Sequence, residues 1–145
     1  MSELFDKSIR TLELPRVLQL LSEQAVSPEA KELALAVRPE TDYEDVLRLL
    51  DQTDGARAMI VLRGAPGFSG VKPVKDLLDR ADRGGSLNTR ELLDIAAVLR
   101  CARTVKSYVA EDEKPTVLNP LFGALTPNKY LEDRIFGDII SEEEI

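Results

Sequence analysis

The sequence contains no histidine and no tryptophan, and it has one cysteine, Cys101. Because imidazole is missing, the chain can form neither a catalytic Cys–His pair nor a zinc site that includes histidine. A single thiol forms no internal disulfide, which is typical of a protein from a reducing compartment. We therefore interpret Cys101 as a structural thiol.

Long apolar runs and phosphate-binding loops are also missing. No apolar stretch approaches the roughly 20 residues needed to cross a bilayer, and the first ten residues have no signal-peptide core. The glycine-rich loop RGAPGFSG (63–70) lacks the Gly-x4-Gly-Lys-Ser/Thr pattern that binds phosphates. We expect a cytoplasmic chain with no membrane partner and with no cofactor, metal or catalytic residue in residues 1–145.

Size and composition favour a single helical domain. A chain of 145 residues suits one domain, and its 43% apolar residues are enough to form a core. Aromatic residues are few, so the core must consist mainly of Leu, Val, Ile and Ala. No segment shows the alternation of a strand. We predict an all-α fold of five or six helices spanning residues 1–145.

The segment Asn88–Val109 carries the longest helical pattern. Apolar residues recur in it every three or four positions, which is the spacing of one helix face. They are Leu92, Ile95, Ala96, Leu99, Ala102, Val105 and Val109. Asn88 and Glu91 have the spacing of a capping box, in which each side chain bonds the other's backbone NH. We predict a central helix along which the others pack.

Proline, glycine and capping signals place the remaining helices at 15–25, 28–37, 42–62, 73–83 and 127–140, with a short turn at 121–125. A capping box of Thr41 and Glu44 starts the third helix, and Gly55 lies inside it. The apolar face predicted for that helix consists of Val46, Leu47, Leu50, Ala58 and Val61. Phe68 is expected to pin the loop at 63–70 to the core.

Charge is distributed unevenly along the chain, whose net charge is −7. Residues 48–106 hold eleven Lys/Arg and seven Asp/Glu, a net charge of +4, while both flanks are acidic. Arg100, Arg103 and Lys106 form a stripe at three-residue spacing that could contact nucleic-acid phosphates. The commoner explanation is a solvated face paired with Asp76, Asp79, Asp82 and Asp94. No aromatic residue is interleaved with the stripe as a base-stacking platform would require.

Acidic residues cluster near the end of the chain. Glu132, Asp133 and Asp138 precede the run Glu142, Glu143 and Glu144. Clustered carboxylates can bind hard divalent cations. A consecutive glutamate run is more often a solvated tail, and we favour that interpretation.

Three separated blocks resemble a known family. They are SIRTLELPRVLQLLSEQAVSPEAKELA, GAPGFSGVKPVKDLLDRADRGGSLNTRELLDIAAVLR and YLEDRIFGDIISEEEI. They resemble the N-terminal region of the second bacterial branch of MutS-type ATPases, the mismatch-repair homologues that lack the mismatch-reading domains and carry a C-terminal Smr nuclease domain. The resemblance covers nearly the whole chain. It departs at Leu14-Pro15, where the family has an aromatic residue followed by Asp.

The resemblance implies that residues 1–145 form the first part of a helical core and lever within a longer protein. Full-length members act as homodimers that bind ATP and Mg²⁺ and cleave DNA. They suppress homologous recombination or, in some bacteria, split collided ribosomes, so DNA or the ribosome is the implied partner. The ATP site and the nuclease motif lie downstream in the family, and no catalytic residue carries over to this segment.

A free-standing helical module for protein–protein interaction is the alternative. The native open reading frame distinguishes the two: continuation into a phosphate-binding loop favours the MutS-like protein, and a stop near Ile145 favours the module.

Overall fold

A computed structural model describes residues 3–109 and 116–139, with side chains described from residue 7 onward. These residues form eight helices and no strand. The helices are α1 (Glu3–Thr11), α2 (Leu14–Gln24), α3 (Pro28–Ala36), α4 (Tyr43–Arg63), α5 (Lys75–Asp82), α6 (Thr89–Ser107), α7 (Asn119–Gly123) and α8 (Lys129–Asp138). The all-α prediction is confirmed. The number of helices exceeds five or six because the lead-in forms α1 and the short turn forms α7.

The chain divides into two compact units, residues 1–39 and residues 40–145. Helices α1 to α3 belong to the first unit and α4 to α8 to the second. The prediction that residues 1–145 fold as a single domain stays a prediction, because this division does not show whether the units unfold together.

The first unit has a small core between α2 and α3. Leu18 and Ala34 are buried, and the Ser27 hydroxyl caps α3 by accepting from the Ala30 NH at 3.1 Å. Glu13, between α1 and α2, adopts the left-handed conformation with φ 54°. Helices α2 and α3 lie where the sequence places them, and their apolar residues Val17 and Leu33 are exposed.

Helix α4 has 21 residues and is longer than α6, which has 19. The expectation that Asn88–Val109 forms the longest helix is therefore wrong, and its role as a central helix is not confirmed. Helix α4 continues through Gly55 and is capped by Asp42, whose carboxylate accepts from the Asp45 NH at 3.1 Å. The N-cap is thus Asp42 and not Thr41, whose own NH donates to the Glu40 carboxylate at 2.8 Å.

Most of the apolar face predicted for α4 is exposed, although Val46 is half-buried. Leu47 is 39% exposed, Leu50 58% and Val61 81%. The other half-buried positions lie on the opposite side of the helix and include Gln52, Gly55, Ala56, Met59 and Arg63. A Cβ added at Gly55 would lie 3.3 Å from the Val117 side chain, so this side of α4 approaches the segment before α7 closely.

The main core of the second unit lies where α6 packs against α8. Its buried apolar side chains are those of Ile95, Ala96, Cys101, Val105, Leu118 and Ile135. The predicted face of α6 is confirmed in part: Ile95, Ala96 and Val105 are buried, whereas Leu92, Leu99, Ala102 and Val109 are half-buried. The capping box is confirmed as well: the Asn88 and Glu91 side chains each accept from the other's backbone NH at 2.9 Å.

The glycine-rich loop packs against α6 through its backbone. A Cβ at Gly70 would lie 3.0 Å from the Ala97 carbonyl oxygen and 3.1 Å from Cys101 Cβ. The buried Cys101 thiol donates to the Gly67 carbonyl oxygen at 3.4 Å, in keeping with a structural thiol. Phe68 does not pin the loop, since it is 43% exposed. The loop is instead held against α6 by the close approach of Gly70 to Ala97 and Cys101.

Candidate nucleic-acid interface

Arg100, Arg103 and Lys106 lie on the side of α6 that borders α8. Their three-residue spacing brings the three side chains to one strip of the helix surface. The side chain of Arg100 is 55% exposed and that of Arg103 40%. The structure therefore brings the predicted residues together at the surface, but it also gives each of them a partner within the chain.

The partner of both arginines is Glu132 on α8, whose side chain is only 2% exposed. Arg100 Nε donates to Glu132 Oε1 at 3.1 Å. Arg103 binds the same carboxylate with two hydrogen bonds, from Nε to Oε2 at 2.9 Å and from a terminal nitrogen to Oε1 at 2.8 Å. A buried carboxylate needs such bonds, because leaving water without them is costly.

The two arginines shift the ionisation of this carboxylate. Hydrogen bonds from Arg103, assisted by Arg100, lower the pKa of Glu132 to about 2 against the opposing effect of burial. The same contact raises the pKa of Arg103. Glu132 is therefore ionised at neutral pH, and the cluster of Arg100, Arg103 and Glu132 carries one net positive charge.

Two further contacts hold the stripe in place. The Arg100 guanidinium lies over the Phe136 ring, 3.9 Å from its centroid, in a cation–π geometry. Lys106 Nζ donates to the Leu125 carbonyl oxygen at 2.8 Å. Both arginines and the lysine are thus positioned by groups from α8 or the segment before it.

Sequence reasoning missed Glu132 and Phe136. It assigned Glu132 to the acidic cluster, whereas the structure buries it under the stripe. An aromatic residue does accompany the stripe, although Phe136 comes from α8 and lies beneath Arg100. The signal available was their four-residue spacing, which places both on one face of α8 beside the buried Ile135.

The predicted pairing of the basic residues with four aspartates is only partly correct. Arg90 lies 3.9 Å from Asp94, as expected. Arg80 instead pairs with Glu91 of the capping box, and its hydrogen bond lowers the pKa of that carboxyl. The stripe pairs with none of the four aspartates, because its two arginines bind Glu132 of α8 instead.

No metal-binding group was found among the described residues, where no three His, Cys, Asp or Glu side chains converge. Asp133 pairs with Lys129, and Asp138 lies 3.8 Å from Arg134. The glutamate run Glu142 to Glu144 lies outside the described residues.

A cavity of about 360 Å³ lies within the first unit. Its lining consists of Ile9, Arg10, Leu14, Pro15, Leu18, Leu35 and Arg38. This lining contains no carboxylate, thiol or hydroxyl, so it offers neither a nucleophile nor a general base. Across the helices that the structure describes, none combines the length and apolarity that spanning a membrane requires.

The chain is similar in sequence to one group of bacterial proteins. It is 38% identical over 144 residues to the endonuclease MutS2 of Acetivibrio thermocellus, 36% over 143 residues to that of Ruminiclostridium cellulolyticum, and 33% over 143 residues to that of Clostridium botulinum. Each alignment covers 97% of this chain and 18% of the relative. No protein-family model matches the chain, and no solved structure does.

Proposed function

We propose that this chain is the N-terminal helical core and lever segment of a MutS-type DNA-binding protein and has no catalytic activity of its own. The observation that carries the proposal is the match of 97% of the chain to proteins named endonuclease MutS2. The chain spans 18% of their length, so cleavage would be performed by other parts of such a protein. Homodimer formation, suppression of recombination and a role at the ribosome belong to the proposed longer protein.

ATP and Mg²⁺ would also bind outside this segment. The loop at 63–70 lacks the consecutive Gly-Lys-Ser/Thr of a phosphate-binding loop, and Gly70 packs tightly against α6 instead. Titration calorimetry with ATP and Mg²⁺ should give no saturable heat with the 145-residue chain. Micromolar binding would show that a nucleotide site lies in this segment after all.

The stripe on α6 is the proposed nucleic-acid contact. Half-exposed guanidinium groups that are already oriented by Glu132 lose little side-chain entropy when they meet a phosphate. The net charge of −7 opposes binding at long range, but a screening length of about 8 Å at physiological salt leaves contact-range attraction intact. We expect weak binding of duplex or branched DNA that decreases steeply with added salt.

The test must separate loss of a phosphate contact from loss of folding. Removing the arginines alone would leave a buried charge unpaired, so the variant should combine Arg100→Gln, Arg103→Gln and Glu132→Gln. Arg16→Gln is the matched control, because it changes the net charge by the same amount in an exposed residue of α2. Fluorescence anisotropy with duplex and branched DNA should show weaker binding for the triple variant and unchanged binding for the control. Equal binding by both variants would make the stripe a purely structural contact.

A free-standing interaction module remains the second candidate, and the exposed apolar face of α4 is the observation that favours it. An open reading frame that stops near Ile145 would support the module over the MutS-like protein.

A further inference from the structure

The two arginines of the stripe differ in how many of their donors the fold already uses. Arg103 binds Glu132 through Nε at 2.9 Å and a terminal nitrogen at 2.8 Å, which occupies one whole edge of its guanidinium group. Arg100 donates to the same carboxylate from Nε alone, at 3.1 Å. Within the part of the chain that the structure describes, the terminal nitrogens of Arg100 have no hydrogen-bond partner. Arg100 therefore keeps more donors for a ligand than Arg103 does.

The Phe136 ring holds Arg100 without using any of these donors. Cζ of Arg100 lies 3.9 Å from the ring centroid, a separation typical of a guanidinium group stacked on an aromatic face. The N–H donors of a guanidinium group lie in its own plane. Stacking thus covers one flat face of the group and leaves its donor edges free. Phe136 is half-buried on α8, the helix that packs against α6, so the core of the second unit fixes the ring.

Exposure and charge divide the two arginines in the same way. The side chain of Arg100 is 55% exposed, whereas that of Arg103 is 40% exposed. Glu132 cancels one of the two positive charges, and the single charge that remains matches that of one phosphodiester group. The two terminal nitrogens of a guanidinium group can bind two oxygens of one phosphate in parallel. Only Arg100 has both of these nitrogens available.

We infer that Arg100 makes the phosphate contact of the stripe and that Phe136 is a positioning residue for it, an assignment that rests on the proposed nucleic-acid function. The ligand group is a phosphodiester, bound by the terminal nitrogens of Arg100. Arg103 instead serves the fold by pairing with Glu132. A side chain already restricted by a ring and a carboxylate loses less entropy when it binds than a free arginine does.

A matched pair of variants tests the division between the arginines. Arg100→Gln and Arg103→Gln each remove one positive charge from the same strip of α6. Fluorescence anisotropy with duplex DNA at low salt should show binding weakened about tenfold by Arg100→Gln and less than about threefold by Arg103→Gln. Thermal unfolding should show the opposite order, because Arg103 makes two bonds to Glu132. Circular dichroism verifies the helix content, and Arg103→Lys, which keeps the charge, should lower the unfolding midpoint and leave DNA binding unchanged.

A double-mutant cycle tests the role of Phe136. Phe136→Leu keeps an apolar side chain but removes the ring, and it should weaken DNA binding about threefold. Phe136→Tyr keeps the ring and should bind as the wild type does. In the Arg100→Gln background, Phe136→Leu should have no further effect on DNA binding, whereas a purely structural role would act equally in both backgrounds. Tyr130→Leu is the matched control, since it removes a ring of α8 that is 74% exposed, and it should leave binding unchanged.

The outcomes separate this assignment from the proposed function. A loss of DNA binding in Arg103→Gln that equals or exceeds the loss in Arg100→Gln would overturn the assignment and leave the nucleic-acid contact in place. A Phe136→Leu effect that persists in the Arg100→Gln background, or that Phe136→Tyr shares, would overturn the positioning role. Absence of DNA binding by the wild-type chain would overturn the proposed function and the assignment with it. Wild-type binding by the variant that combines Arg100→Gln, Arg103→Gln and Glu132→Gln would do the same.

Discussion

Glu132 joins α8 to α6 through hydrogen bonds to Arg100 and Arg103. It is almost fully buried, and both of its oxygens accept hydrogen bonds from guanidinium groups. An acid in such a place stabilises the fold only while it is ionised and paired. The contribution of Glu132 to stability therefore depends on the two arginines and on pH.

Replacing Glu132→Gln should destabilise the chain at neutral pH by about 2 kcal/mol, because charge-assisted hydrogen bonds to both arginines are lost. The folded pKa of about 2 lies below the ordinary glutamate value of 4.5, so the contribution of Glu132 is fully present above pH 4.5. It is lost as pH decreases toward 2. Urea unfolding across this pH range should show the difference between wild type and variant shrinking in acid. Asp133→Asn, on an exposed neighbour, should change stability by less than about 0.5 kcal/mol at any pH.

Gly70 is a second residue whose identity matters, because its backbone contacts α6. Gly70→Ala should cost about 1–3 kcal/mol, since the new methyl would press on the Ala97 carbonyl and on buried Cys101. Gly67→Ala is the control in the same loop, where a Cβ would meet nothing within 4 Å. Thermal unfolding should separate the two, and equal midpoints would mean that the loop shifts to accommodate the methyl.

At the scale of elements, the end of α4 is joined to the end of α6 by Tyr108. Its hydroxyl donates to the Gly64 carbonyl oxygen at 2.6 Å, and the Tyr108 carbonyl oxygen accepts from Arg63 at 2.7 Å. The Tyr108 ring also stacks near Phe122 of α7, with 6.3 Å between centroids. One side chain thus joins three helices.

Tyr108→Phe should lower the free energy of unfolding by about 1 kcal/mol, because the Gly64 carbonyl loses its partner while ring packing is kept. The matched control is Tyr130→Phe on α8, where the ring is 74% exposed. Denaturant unfolding of the two variants gives the comparison. A loss no greater than that of the control would mean that water replaces the hydroxyl at Gly64.

The sequence predicts the helices far better than it predicts their buried faces. Proline, Asn88 and Gly84 act locally, so helix starts and stops follow from residues within one turn. Periodicity shows that α4 has an apolar stripe, but it cannot show whether this chain or another molecule covers that stripe. Leu47, Leu50 and Val61 were therefore placed in the core, whereas Gly55 and Met59 face the rest of the unit. Glu132 was missed for a similar reason: nothing in its own segment indicates that its side chain meets Arg103, which lies 29 residues earlier in the sequence.

At the scale of the whole molecule, the two units differ greatly in the core they bury. Among the described residues of the first unit, the buried apolar side chains are Leu18 and Ala34. Segments of about 40 residues without disulfides or metals are rarely stable alone. We therefore expect that the first unit does not fold independently.

A peptide of residues 1–39 should thus show little helix by circular dichroism, while residues 40–145 should retain theirs. This follows from the small core of the first unit and from the continuous core between α6 and α8. The intact chain should then unfold in one transition, as the single-domain prediction requires. A cooperative thermal transition in the isolated 1–39 peptide would instead establish two domains.

The contacts of Glu132 also have a consequence for folding kinetics. They join residues 29 and 32 positions apart, so the chain must close a loop of that length before they form. Helices form in about a microsecond, whereas closing a long loop costs entropy that only the finished contact repays. We expect this contact to form after the main barrier. The contact would then lower the unfolding rate and leave the folding rate nearly unchanged.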